Sequence, residues 1–235
     1  MSALLVGVGL WIRLRIAETP EFAAALADAP PPKVPIGEAF GRFPGLLLAG
    51  TIGAVACFVL YYVATAFLLS YGTKTLHYTM QQFLLVQLGA ILFMALGILL
   101  SGWLSDRQWD ERRVLIGGCV GTAIVGLVMA PFMESGSLAL VFAYMAAALF
   151  MMGFVYGPLG GWLPSLYPPR VRYTAVSIAF NLAGVLGGGL TPLMAQMLSA
   201  MGGLAPVGWY ASGAALLSLV ALIAAGGAGR SDRAK

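Results

Sequence analysis

Apolar residues in this chain run in long unbroken blocks, without the alternation of a half-buried strand. Six blocks, at roughly residues 44 to 70, 79 to 103, 114 to 132, 138 to 162, 174 to 200 and 207 to 226, predict membrane-crossing helices, since a span takes about 20 residues at 1.5 Å each. A shorter apolar run, SALLVGVGLWI at residues 2 to 12, ends in Arg13 and Arg15. It is too short to cross a bilayer, so residues 1 to 16 read as the end of a truncated transmembrane helix. Residues 17 to 43 leave the apolar pattern. Thr19, Pro20 and Glu21 predict the start of a short helix through FAAALADA, which Pro30, Pro31, Pro32 and Pro35 stop, because proline cannot continue a helix. IGEAFGRF then forms a second short amphipathic piece. The chain therefore predicts a cytoplasmic linker at 17 to 43, a six-helix bundle at 44 to 226 and a cytoplasmic tail at 227 to 235.

Loop charge orients this arrangement. With six full spans, Arg13, Arg15, Lys33, Arg42, Arg107, Arg112, Arg113, Arg170, Arg172, Arg230, Arg233 and Lys235 fall on one side and Lys74 alone on the other. Basic residues concentrate in cytoplasmic loops, so the side with twelve is read as cytoplasmic, with the C-terminus on it. The expected location is the inner (plasma) membrane.

Composition narrows the function class. The chain is 60% hydrophobic and only 9% charged, with mean hydropathy +0.90, whereas a soluble domain carries about 25% charged residues. It is read as a multi-pass membrane protein, with membrane lipid its first partner. The net charge of +4 follows from loop topology and implies no nucleic acid. All nine acidic residues lie in loops or at span ends. An ionisable group near the bilayer centre costs about 2.5 to 3.5 kcal/mol and normally marks an ion path, so this stretch alone shows no proton relay. A single histidine, His77, and two isolated cysteines, Cys57 and Cys119, give no metal-ligand spacing. Neither an enzyme nor a metal or cofactor site is indicated.

Residues 153 to 196 are unusual within the bundle. Gly153, Gly157 and Gly161 recur every four residues, as do Gly184 and Gly188, a spacing that lets membrane helices approach closely. Pro158, the run Gly187, Gly188 and Gly189, and Pro192 are expected helix breaks. Such breaks are tolerated in a bilayer where neighbouring helices or a water-filled cavity satisfy the freed carbonyls.

The loop SGWLSDRQWDERR carries a glycine, an Asp-Arg pair and a closing basic pair: Gly102, Asp106, Arg107, Arg112 and Arg113. It resembles the signature of the major facilitator superfamily, where these charges latch helices together on the cytoplasmic side. The family's second glycine is unmatched, with Trp109 near its place, and the loop is longer by a residue or two. Leu163, Pro164, Leu166, Tyr167, Pro168, Arg170, Val171, Arg172, Tyr173, Thr174, Ser177, Phe180 and Asn181 are similar to the metabolite:proton symporter branch, as is the early RIAETPEF. Ala175 stands where that branch usually has glycine. The resemblance implies an all-α fold, a three-plus-three bundle forming the C-terminal half of a twelve-helix transporter. It also implies a cytoplasmic gate from the loop residues together with Arg170 and Arg172.

In such a bundle the substrate path lies at the interface with a second bundle, near the midplane. Tyr61, Tyr62, Thr65, Gln87, Tyr144, Tyr156, Ser177 and Asn181 are the polar candidates within spans. An asparagine bonded between two packed helices is the alternative for Asn181, and packing or interfacial anchoring for the tyrosines. The implied function is transport of a small polar metabolite, an organic acid or betaine-like solute, coupled to protons by alternating access. The implied partner is an N-terminal half outside this chain. The competing reading is a non-transporting membrane subunit or an inactive half-transporter.

Overall fold

The computed structural model describes residues 6 to 11, 35 to 107 and 110 to 231. The expected Thr19-capped helix, the basic pair Arg13 and Arg15, the prolines at 30 to 32, Trp109 and the last four residues lie outside these. Residues 6 to 11 are helical. After them come α1 (Pro35–Arg42), α2 (Pro44–Tyr62), a π-helical segment Val63–Phe67, α3 (Leu68–Lys74), α4 (Met80–Arg107), α5 (Glu111–Leu127) and α6 (Met129–Met133). The chain continues with α7 (Leu138–Ser165), α8 (Pro169–Ala183), a second π segment Gly184–Gly189, α9 (Thr191–Gly202) and α10 (Leu204–Ser231).

Among the described residues, five helical runs are long and apolar enough to cross a membrane: Pro44–Lys74, Met80–Arg107, Leu138–Ser165, Pro169–Gly202 and Leu204–Gly226. The remaining apolar block is divided. Three charged residues occupy the first turn of α5, and Val128, at φ −92° and ψ 5°, separates α5 from α6. The runs Pro44–Lys74 and Pro169–Gly202 hold 31 and 34 residues, about 46 and 51 Å at 1.5 Å per residue. Both exceed a hydrocarbon core of about 30 Å, so their ends extend beyond it.

Local chemistry sets the helix starts. Thr79 and Gln82 bond reciprocally at the head of α4, Thr79 N–H donating to Gln82 Oε1 at 3.0 Å and Gln82 N–H to Thr79 Oγ1 at 3.2 Å. This capping box occupies two otherwise orphaned donors. Asp110 caps α5 by accepting from Arg112 N–H at 3.4 Å. Pro44 and Pro169 open α2 and α8, where a missing N–H costs nothing.

The most extensive packing joins α4 to α7, and α10 lies against α5 and α2. Glycine makes the first contact possible. A methyl on Gly153 would overlap the carbonyl oxygen of Met94, and one on Gly97 the carbonyl of Phe150; Gly157 faces Ser101 and Ile98. The same device joins α5 to α10, where Gly126 and Gly208 meet backbone to backbone. Pro158 does not interrupt α7, which runs through both Pro158 and Pro164. Proline removes one hydrogen bond, yet the helix continues past it, with its glycine stripe packed on α4. The second span departs from regular α geometry where its glycines are, in the π segment Gly184–Gly189, and resumes at Thr191 with Pro192 in its first turn.

The glycine contact generates a paired test. Gly153→Ala is expected to destabilise the folded chain by about 1 to 3 kcal/mol, the usual cost of overpacking. Gly160→Ala, in the same helix but with nothing within 4 Å of the added carbon, is expected to leave stability unchanged or raise it by up to about 1 kcal/mol. Thermal unfolding in detergent, followed by tryptophan fluorescence, distinguishes the two.

Candidate functional site

Four elements, α2, α4, α7 and α8, enclose a cavity of about 370 Å³. Tyr61 and Tyr62 come from the last turn of α2, Tyr156 from α7 and Phe180 from α8, with Phe58 one turn below the α2 pair. Met94, Ile98, Met152 and Cys57 complete it. The rings form an edge-to-face series: Phe58 to Phe180 at 5.0 Å, Tyr61 to Tyr62 at 5.5 Å and Tyr156 to Phe180 at 6.4 Å between centroids. Tyr62 and Tyr156 remain 36% and 41% exposed, so the cavity reaches the bundle surface. A second, more apolar cavity of about 320 Å³ shares Ile98, Tyr156 and Phe180 and continues between α7 and α8 to Pro164. Among the described residues, no charged side chain lines either one. Ring faces and phenol hydroxyls can hold apolar, cationic or hydrogen-bonding parts of a ligand.

The other span candidates are placed differently. Gln87 Nε2 donates to the carbonyls of Ala64 at 3.1 Å and Thr65 at 2.8 Å, and Thr65 Oγ1 donates to Tyr61 O at 2.7 Å. Both side chains serve the first π segment, where a shifted hydrogen-bond register leaves carbonyls poorly matched. Tyr144 is 2% exposed, and its hydroxyl has no partner among the described residues; it lies in the core and not at the cavity. Ser177 and Asn181 are exposed on α8. The Asn181 amide donates to Ser177 O, one turn back, at 2.8 Å, so it does not tie two packed helices together.

At the charged end of the bundle, the loop residues do not act as one cluster. Gly102 precedes Trp103, whose ring lies 5.1 Å beneath the Arg107 guanidinium. Asp106 makes no ion pair among the described residues, and Asp106, Arg107 and Arg113 are exposed. Arg112 is directed elsewhere. Its Nε donates to Leu222 O at 2.6 Å and its Nη2 to Ile223 O at 2.9 Å, with the guanidinium seated over Gly226. It joins α5 to α10.

A different set ties the starts of α2 and α8. Arg170 pairs with Glu38 of α1 at 2.9 Å, and Arg172 Nε donates to Tyr167 O at 3.2 Å. The Tyr167 hydroxyl donates to Leu46 O at 3.0 Å. Burial pushes that hydroxyl up to about 12, because the phenolate would lose its hydration. Sequence reasoning missed Glu38 as a partner, since 132 residues separate it from Arg170. It also missed Ser212, Ser218 and Thr191, three buried hydroxyls that bridge helices. Ser218 Oγ donates to Ile52 O at 2.6 Å and accepts from Ala56 N–H at 3.0 Å. Ser212 Oγ donates to Ala123 O at 2.7 Å. Thr191 Oγ1 bonds Gly187 O and lies 2.8 Å from Tyr210 Oη. Their signal was a lone hydroxyl in an apolar run, which surface serines share.

The Major Facilitator Superfamily profile matches residues 1–192 and again 50–233. The Escherichia coli inner membrane metabolite transport protein YhjE is 29% identical over 226 residues, 94% of this chain and 51% of that protein. The E. coli shikimate transporter is 30% identical over 206 residues, covering 84% and 45%, and the E. coli proline/betaine transporter 28% over 202 residues, covering 81% and 40%. The chain spans about half the length of the curated relatives it matches. No solved structure matches it. Glycine-seated helices, an aromatic cavity between spans and a profile match across the chain lead to one assignment: this chain belongs to the Major Facilitator Superfamily, a family of transporters and not of enzymes.

Proposed function

We propose that the chain forms a six-span half of a secondary transporter and works with a second bundle to move a small polar metabolite by alternating access, coupled to protons. The aromatic cavity carries this reading, because Tyr61, Tyr62 and Tyr156 from two spans converge there. The divided helix Glu111–Met133 is counted as the remaining span, which keeps the twelve-to-one distribution of basic residues on opposite faces. The bundle is residues 44 to 226 and the linker 17 to 43, in the inner membrane with the 227 to 235 tail in the cytoplasm. The relatives' names suggest a metabolite, proline, betaine or shikimate as solute. This cavity supplies ring faces and hydroxyls but no charge, so ionic recognition and the proton-coupling carboxylates fall to the second bundle.

Asp106, Arg107, Arg113 and Gly102 remain the proposed cytoplasmic latch, with Arg170 and Arg172 holding the neighbouring ends of α2 and α8. Arg112 is proposed as a structural tie. Asn181 and Ser177, exposed on the helix that gives Phe180 to the cavity, are proposed to meet the second bundle or solute.

Uptake tests this in inverted or right-side-out vesicles containing the chain with the helices that complete its relatives. Labelled proline, glycine betaine and shikimate are offered against an imposed pH gradient. Accumulation of one, abolished by a protonophore, is expected; gradient-independent leakage or no uptake of any small solute would defeat the proposal. Tyr156→Ala is expected to raise KM about tenfold, equivalent to about 1.4 kcal/mol, with membrane insertion unchanged. Asp106→Asn is expected to lower the uptake rate without altering the thermal midpoint. Arg112→Gln should do the reverse, lowering the midpoint through two lost bonds worth about 1 to 3 kcal/mol together.

A further inference from the structure

A polar cavity lies away from the aromatic site. About 490 Å³ opens between α3, at the end of the first long run, and α9, in the second half of the Pro169–Gly202 run. Ser70, Tyr71, Lys74, Thr75, Gln196 and Ser199 supply its polar wall. Among the described residues, no hydrogen bond or ion pair engages the Lys74 ammonium, the Ser70 and Thr75 hydroxyls or the Gln196 amide. Ser199 Oγ spends its proton on Gln196 O at 2.9 Å. Among the described residues, no acidic side chain lines the cavity. Glu134 lies beyond it, beside Tyr71 and Gly203, and accepts from Leu204 N–H at 3.3 Å.

The geometry points to a carboxylate-binding site here, with Lys74 as the counter-charge and Ser70, Thr75 and Gln196 as donors to the carboxylate oxygens. A lone exposed ammonium holds an anion weakly because water screens it. A concave wall of uncommitted donors, with no competing carboxylate, changes that balance through charge-assisted hydrogen bonds. Cations find no ligand here, because the cavity offers one positive charge and no negative one. Lys74 is the only lysine or arginine between Arg42 and Arg107. The site is independent of the aromatic cavity and of whether the chain transports.

Three lysines in the chain, Lys33, Lys74 and Lys235, allow a footprinting test with two internal controls. The full chain in phosphatidylcholine vesicles is acetylated with an N-hydroxysuccinimide ester, and each lysine is followed by mass spectrometry. Succinate is compared with its uncharged diamide at matched ionic strength. Succinate is expected to slow acetylation of Lys74 about tenfold at ten times its Kd, by mass action, while Lys33 and Lys235 react at unchanged rates and the diamide does nothing. Ser70→Ala with Gln196→Leu should remove the protection; Gln196→Leu alone serves if the pair does not insert. Protection by the diamide, equal protection of all three lysines, or protection surviving the cavity substitutions would overturn the site. So would protection that requires phosphatidylglycerol, which would make the ligand a lipid headgroup.

Discussion

Hydrocarbon offers a peptide group no hydrogen bond, so each N–H and C=O that leaves the regular helical ladder must be served from inside the protein. Two polar side chains in this bundle answer that constraint at the π segments, and others add bonds from one helix to the backbone of the next. Gln87 serves the first π segment, Thr191 the second, and Ser218 and Ser212 bind carbonyls on neighbouring helices. Arg112 does the same near the membrane edge, delivering two donors to α10. Each is a short tie between backbones brought close by small residues. Where two glycines face each other, as at Gly126 and Gly208, no side chain keeps the helices apart.

That economy separates the parts of the chain that can hold a ligand from those that cannot. A residue whose donor is spent on backbone is fixed in place, and Gln87 and Thr65 are of this kind. The tyrosines of the α2, α7 and α8 cavity have ring contacts and an open side. In the polar cavity near Lys74, the Ser70, Thr75 and Gln196 donors are likewise uncommitted among the described residues.

The helical layout was legible because it depends on composition within single segments. Blocks of apolar residues reported their own length, and the four-residue spacing of Gly153 and Gly157 reported which face of α7 meets a neighbour. Thr79 and Gln82 also form their cap within one turn. Partners far along the chain left no such trace. Arg112 stands among loop charges by sequence, yet its guanidinium reaches carbonyls 110 residues away. Tyr144 and Tyr156 are equivalent as isolated tyrosines in one helix, and only the position of neighbouring spans buries the first and opens the second. Pro158 was read from its missing donor, whereas α7 continues past it, packed on α4.

The two π segments sit in the runs Pro44–Lys74 and Pro169–Gly202, and these runs are joined at one end by Tyr167 to Leu46 and, through α1, by Arg170 to Glu38. The second segment packs on α2 between Val55 and Tyr62, and the first begins one residue later at Val63. The two departures from α geometry therefore meet at adjoining heights, in runs that are tied to each other at one end.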